Sequence, residues 1–326
     1  MHRFFLTLLA LLAGLALFVY AVREAGAAEI AGGVARVGWG LLPVLLLGGL
    51  RFVLRALSWR LCMPATVRMP FARVFSAFLA GDAVGNVTPL GPVVSEPAKV
   101  FLTRHRLATG EAIASLAIDN TIYAVSVAAM IVIGAVVLLA TVPLPVVWRE
   151  MAVVALVALV LGGLLGLRLL RGFWSGSGLR PAWRQRLAGL RETVRCFTSG
   201  HPVRLVRILT LHSGFHALTV VETFIVLDWL LGGSATLAQA FILATLNRVV
   251  QVAFKFVPFL VGVDEASSGA LAQLLNVDVG AAVTLAVVRK IRVLFWTGAG
   301  LLLTAWYPAQ AVPATDRRGS GPAHRT

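Results

Sequence analysis

Charge is scarce in this sequence, and acidic charge scarcest of all. Of the 326 residues 13% are charged, with 14 Asp and Glu against 29 Lys and Arg. A soluble protein of this length carries about a quarter charged residues, so a soluble globular fold is excluded. Cysteine is nearly absent too. Cys62 and Cys196 provide neither a disulfide framework nor metal-ligand spacing, and reduced thiols are expected. No GxxxxGK[ST], dinucleotide fingerprint, GxSxG or Cys–His nucleophile pair occurs. These absences exclude ATP hydrolysis within the chain, and no catalytic residue and no cofactor is assigned. Segments of about ten residues alternating in polarity are missing as well, which excludes a transmembrane barrel.

What is present is long apolar runs. Residues 4–22 carry no charge and are long enough to cross about 30 Å of hydrocarbon as a helix. Similar runs lie near 38–57, 112–141, 147–167, 205–231, 235–262 and 278–306. The expected fold is all-α: a polytopic membrane helical bundle of about seven or eight spans. Residues 1–307 form one membrane domain, and 308–326, rich in Pro, Gly and Ala, form a disordered tail. The first run is expected to be retained rather than cleaved. It exceeds a signal-peptide core, and Arg23 and Glu24 interrupt the approach to Ala25-Gly26-Ala27.

A net charge of +15 would point to nucleic acid in a soluble protein. Here Arg and Lys flank the apolar runs, so membrane topology and anionic lipid headgroups account for the excess, and no nucleic-acid partner is expected. Partner membrane proteins or a homo-oligomer are compatible with such a chain. The segment 168–207 carries nine arginines, Arg168 and Arg207 outermost, and the positive-inside rule places it in the cytoplasm. The N-terminus, with His2 and Arg3, falls on the same side of an inner (plasma) membrane, and the segments 23–37 and 142–150, poorer in Arg and Lys, fall on the other. Within the basic segment, Leu179, Trp183, Leu187, Leu190, Val194 and Phe197 recur every three or four residues. Residues 179–197 thus read as an amphipathic helix, either lying among headgroups or packed on the bundle as a connector.

Two interruptions break the apolar pattern, and they resemble each other. Residues 81–102 read GDAVGNVTPLGPVVSEPAKVFL, and residues 254–271 read FKFVPFLVGVDEASSGAL. In each, an apolar helix enters a Pro-Gly stretch and an acidic residue then opens a new helix, at Ser95-Glu96 and at Asp264-Glu265. Matching broken helices are the best sequence pointer to a transporter's binding site. Both segments are therefore read as re-entrant or discontinuous helices in a pseudo-repeat whose parity is open.

Ionisable residues inside spans are costly and are functional candidates by default. Arg51 and Arg55 lie one turn apart. They either line a lipid-phosphate pathway or snorkel toward the cytoplasm. Asp119, in the next long span, needs a partner or a proton, and one of these arginines is the natural partner. Asp82 and Asn86 lie in the first break. Arg248 and Lys255 share a helix face seven residues apart. Arg289, Lys290 and Arg292 either mark the cytoplasmic start of the last span or face Asp264 and Glu265. His212, His216 and Glu222 do not have metal-site geometry, because Glu222 falls about 120° from His216 on a helix; hydrogen bonds between helices are expected instead.

At the two interruptions the chain resembles the flippase-like family that includes the transmembrane region of lysylphosphatidylglycerol synthase. Asn86, Pro89, Gly91 and Glu96 match its first motif, and Pro258, Gly262 and Glu265 its second, with Asp264 where the family has Arg. The resemblance covers most of 40–306, and the basic loop and the VGVDEA run look closest to a branch associated with hopanoid lipids. It implies movement of lipid between leaflets. The aminoacyl-transferase domain that follows in the full synthase has no counterpart here, so synthesis is not implied. Half-helix N-termini carry partial positive charge for a lipid phosphate, while Glu96 and Glu265 serve either as counter-charges or as plain helix caps. The expected function is a lipid translocase for a polar or polycyclic, hopanoid-like lipid. A membrane enzyme modifying a lipid headgroup and a non-catalytic lipid-binding subunit are the alternatives.

Overall fold

The computed structural model describes residue 23 and residues 27–88, 91–147, 149–154, 156–157, 161, 197, 200–254 and 257–306. The first apolar run, Pro89, Lys255, nearly all of 179–197 and the tail lie outside these residues. Among the described residues the chain is all helical, with no strand. In hydrocarbon every backbone polar group must be satisfied internally, and a helix does this within one segment. Nine α-helices follow in order: α1 Ala27–Val37, α2 Leu41–Cys62, α3 Phe71–Val87, α4 Gly91–Thr103, α5 Thr109–Thr141, α6 Pro202–Leu230, α7 Leu237–Ala253, α8 Val263–Leu274 and α9 Val279–Trp306. Among the described residues three stretches, Ala31–Cys62, α5 and α6, are long and apolar enough to cross a membrane.

Local chemistry sets the ends. Met63, extended at ψ 153° before Pro64, stops α2 because the residue ahead of a proline avoids helical backbone. α6 opens on Pro202, whose missing N–H is no loss in a first turn. At α7, Thr236 accepts from Gln239 N at 3.2 Å and its own N–H donates to Gln239 Oε1 at 2.9 Å, a reciprocal cap. Residues 27–37, part of the segment assigned to the outer side, form α1, which continues through a 3₁₀ turn at Gly38–Gly40 into α2 and packs on α9. One expectation is corrected: α4 starts at Gly91, four residues before Ser95, because Pro92 pre-sets a first-turn φ. Ser95 and Pro97 thus lie inside the helix, with Ser95 buried.

The two interruptions build two helical hairpins, α3–α4 and α7–α8, and α9 packs against both. They are not alike in detail. In the first, α3 and α4 meet backbone to backbone: a Cβ on Gly85 would lie 2.9 Å from Gly91 O, and one on Gly81 2.5 Å from Lys99 Cγ. The second is a longer link containing the 3₁₀ turn Pro258–Leu260, with Phe259, Leu260 and Gly262 at φ 53°, 52° and 80°. Apolar side chains such as Leu46, Ile133, Leu294 and Leu302 face outward, while many charged groups are inside, the arrangement a lipid solvent favours. Gly85→Ala is expected to lower the thermal midpoint in detergent by overpacking worth about 1–3 kcal/mol. Gly32→Ala, whose added Cβ meets nothing within 4 Å, is expected to have no such effect. Equal midpoints would show that the hairpin yields without strain.

Candidate functional site

On α2, Arg51, Arg55 and Ser58 recur at helical spacing and form one polar stripe facing a matching stripe on α6, His212, His216, Thr219 and Glu222. All are buried, so snorkelling, one of the two readings of Arg51 and Arg55, is overturned. Asp119 of α5, 0% exposed, is the focus of the first cluster. Arg55 pairs with it at 3.2 Å, His212 Nε2 lies 3.3 Å away and Ser58 Oγ donates to it. Arg55 also donates to Asn120 Oδ1 at 3.3 Å and lies 4.0 Å from the Tyr123 ring centroid. The partner that Asp119 requires is thus Arg55.

Glu222 is the focus of the second cluster. Arg51 Nη2 lies 3.3 Å from it, and Arg292 of α9 donates to both its oxygens. Arg51 further donates to Thr219 Oγ1 at 3.0 Å. This carboxylate ties α2, α6 and α9 together.

At the second break, Asp264 and Glu265 occupy the first turn of α8 and are buried. Asp264 accepts from Asn247 Nδ2 at 2.6 Å and faces Arg289 at 3.5 Å. Glu265 accepts from Gly262 N at 2.9 Å and from Lys290 Nζ, and Lys290 also reaches Leu260 O at 3.3 Å. Two backbone groups of the break, Gly262 N and Leu260 O, are thus satisfied by side chains of α8 and α9, as low-dielectric surroundings require. Glu265 caps α8, as the plain-cap reading of this residue has it, and also pairs with Lys290. Arg289 and Lys290 face the second break rather than marking an aqueous end, while Arg292 turns to Glu222.

The first hairpin forms a separate cluster. Asn86 Nδ2 lies 3.3 Å from Asp82 Oδ2 and 3.1 Å from Thr297 Oγ1 of α9, and Lys99 pairs with Glu96 at 2.9 Å. Lys99 lies 4.2 Å and Arg55 5.4 Å from the Phe78 ring centroid, so Phe78 connects this cluster to Asp119. Gly91 lends its backbone to the close approach, and Pro258 and Gly262 frame the second break. Thr297 lies seven residues beyond Lys290 on α9, on the same face about 10 Å along the axis. One side of α9 therefore serves both breaks. Arg248 of α7 donates to Tyr123 Oη at 3.0 Å and to Gln251 Oε1 at 2.7 Å. Among the described residues no carboxylate comes within ion-pair distance of it.

The family model of the lysylphosphatidylglycerol synthase transmembrane region matches residues 7–300. The chain belongs to this family. No curated protein and no solved structure matches it. Membership makes the chain a membrane protein of a lipid-related family, and the buried clusters of this member can be compared with what the residues suggested.

His212 and His216 make interhelical hydrogen bonds, to Ser58 at 3.1 Å and to Ser126 at 3.0 Å, and no metal cluster exists among the described residues. Sequence reasoning underrated Glu222, weighing it as a metal ligand and as an interhelical hydrogen-bonding group but not as the counter-charge of two arginines. Its signal was the α6 stripe, which repeats at the spacing of Arg51, Arg55 and Ser58. Asn247, Lys99 and Tyr123 carried no comparable signal.

Proposed function

We propose that the protein moves a polar lipid between the leaflets of an inner (plasma) membrane, with its N-terminus and the basic segment 168–207 in the cytoplasm, and leaves the lipid chemically unchanged. One observation carries this reading: buried charged clusters run from Asp119 through Glu222 to the broken segment at Asp264 and Glu265, inside an otherwise apolar bundle. Such groups offer a headgroup replacement hydrogen bonds while its tails stay in lipid. Ion pairs at the break exchange partners with the headgroup, and rocking of one hairpin against the other alternates access. Without a nucleotide motif, movement is passive, ion-coupled or partner-driven. A polycyclic, hopanoid-like lipid belongs in the substrate panel.

The test is a leaflet-translocation assay on protein in liposomes with labelled lipids. Wild type is expected to accelerate flip, and Glu265→Gln, which removes the charge of the fully buried carboxylate at the break, to slow it at least about tenfold. Glu96→Gln is expected to slow it less, because Glu96 is the more exposed of the two. Recovery of a covalently altered lipid instead would favour a headgroup-modifying enzyme. Neither flip nor product would favour a lipid-binding subunit.

A further inference from the structure

Asp82 differs from the other carboxylates of the polar clusters. Asp119, Glu222, Asp264, Glu265 and Glu96 each pair with a cation. Among the described residues no cation comes within ion-pair distance of Asp82. It accepts from Asn86 Nδ2, which also reaches Thr297. The groups packed around α3 show why. Lys99 of α4 is the cation that acts on Asp82 most strongly, and its stem crosses α3 at Gly81, one residue away. Its ammonium, however, is held by Glu96 at 2.9 Å. Arg55 of α2 reaches the same Phe78 ring as Lys99 but is paired with Asp119. From α9 comes the neutral Thr297, and the turn Pro258–Leu260 carries no charged side chain. Two carboxylates at this hairpin therefore share one ammonium.

A carboxylate withdrawn from water without a cation takes a proton instead. One proton makes the hairpin neutral, with Asp82 as the acid and Glu96 ionised against Lys99, which is the pairing observed. Glu96 Oε2 is buried without a hydrogen-bond partner, so an acceptor stands open on the second carboxyl as well. Carboxyls coupled in this way titrate as a unit rather than as two residues. The pair is also within reach of water. Asp82 is half-buried and the Glu96 side chain is 31% exposed, whereas Asp119 and Glu265 are fully buried. It lies in the first break, where Gly85 and Gly91 bring α3 and α4 into backbone contact, so a change of charge there acts directly on how the two helices meet.

We propose that Asp82 and Glu96 hold one exchangeable proton between them, balanced against Lys99, and that this proton is the ion coupled to translocation. The coupling role rests on the translocation reading above. The proton itself rests only on the two carboxylates that answer to one ammonium. With the proton bound, Lys99 stays on Glu96 as observed. When the proton leaves to water, both carboxylates are charged and compete for Lys99, the Glu96 pair loosens, and the contact of α3 with α4 changes. Intramembrane carboxylates serve as proton relays in pumps and transporters, and coupling-ion sites sit at broken helices.

Infrared difference spectroscopy of the purified protein, light against heavy water, reads the proton directly. At neutral pH wild type is expected to show the carbonyl stretch of an un-ionised carboxylic acid. Asp82→Asn and Glu96→Gln are each expected to lose it, because either leaves one carboxylate to one ammonium. Glu111→Gln, at an exposed position, is expected to keep it. No such band in wild type, or a band that survives in Asp82→Asn, would overturn the proposal. So would a band that survives in Glu96→Gln, since Asp82 would then be an isolated acid. The coupling is read in liposomes at zero membrane potential. One proton per lipid makes a difference of about one pH unit equivalent to a lipid asymmetry of up to about tenfold between leaflets. Wild type is expected to build that asymmetry and Asp82→Asn to lose it. An even distribution in wild type, with flip intact, would overturn the coupling. No flip of any lipid would remove the translocation reading instead, and the infrared band would still decide the proton site.

Discussion

Glu222→Gln is expected to be among the most damaging single changes, lowering stability by about 3–5 kcal/mol. Glu222 is 2% exposed and is the shared counter-charge of Arg51 and Arg292. Its loss leaves two guanidiniums close together with no carboxylate, and removing one partner of a buried pair costs far more than the pair's net contribution. Glutamine still accepts hydrogen bonds, so what is removed is chiefly charge. Denaturant unfolding in mixed micelles, followed by tryptophan fluorescence, checks this. Adding Arg292→Gln to Glu222→Gln is expected to recover part of the loss, because the remaining Arg51 has Thr219 and only one positive charge stays buried. A wild-type midpoint for the single variant would mean that the charges are compensated by other means and that Glu222 is not a tie between helices.

The second large effect is expected at Asp119, which is fully buried and bound by Ser58, Arg55 and His212 from α2 and α6. Asp119→Ala strands Arg55 and is also expected to cost about 3–5 kcal/mol. Arg55 keeps Asn120, His212 and the face of Tyr123, which softens the loss without supplying a counter-charge. A double-mutant cycle with Arg55→Met tests the pair directly. A coupling of roughly 1–3 kcal/mol is expected for contacting charges, and strictly additive losses would refute the pairing. The cycle also separates the ion pair from the Ser58 bond, because both Asp119→Ala proteins lose that bond alike and the loss cancels.

Much of the architecture is legible in one dimension because the lipid solvent leaves few choices. A long apolar run must be a helix when backbone groups cannot be left open, and so α2, α5, α6 and α9 lie close to the apolar runs. The two interruptions at Pro89 and Pro258 announced breaks, and α8 begins within a residue of where Asp264 and Glu265 suggested. The start of α4 was misread because Ser95-Glu96-Pro97 imitates a helix entry. The start is set upstream of that imitation, where Pro92 pre-sets a first-turn φ directly after Gly91.

Partner choice is the part that only the tertiary structure decided. Arg51 and Arg55 were recognisable as candidates, but the residues that neutralise them lie on another helix, with Arg51 and Thr219 168 residues apart in the chain. Arg292 and Glu222 are 70 apart. Helix propensity and hydropathy act over one or two turns. An ion pair depends on where two helices cross and which faces they present. The sequence by itself therefore determined that charges are buried in an all-helical membrane chain with two breaks. The crossing of α2, α6 and α9 determined which charges cancel, and among the described residues it left Arg248 without a carboxylate at ion-pair distance.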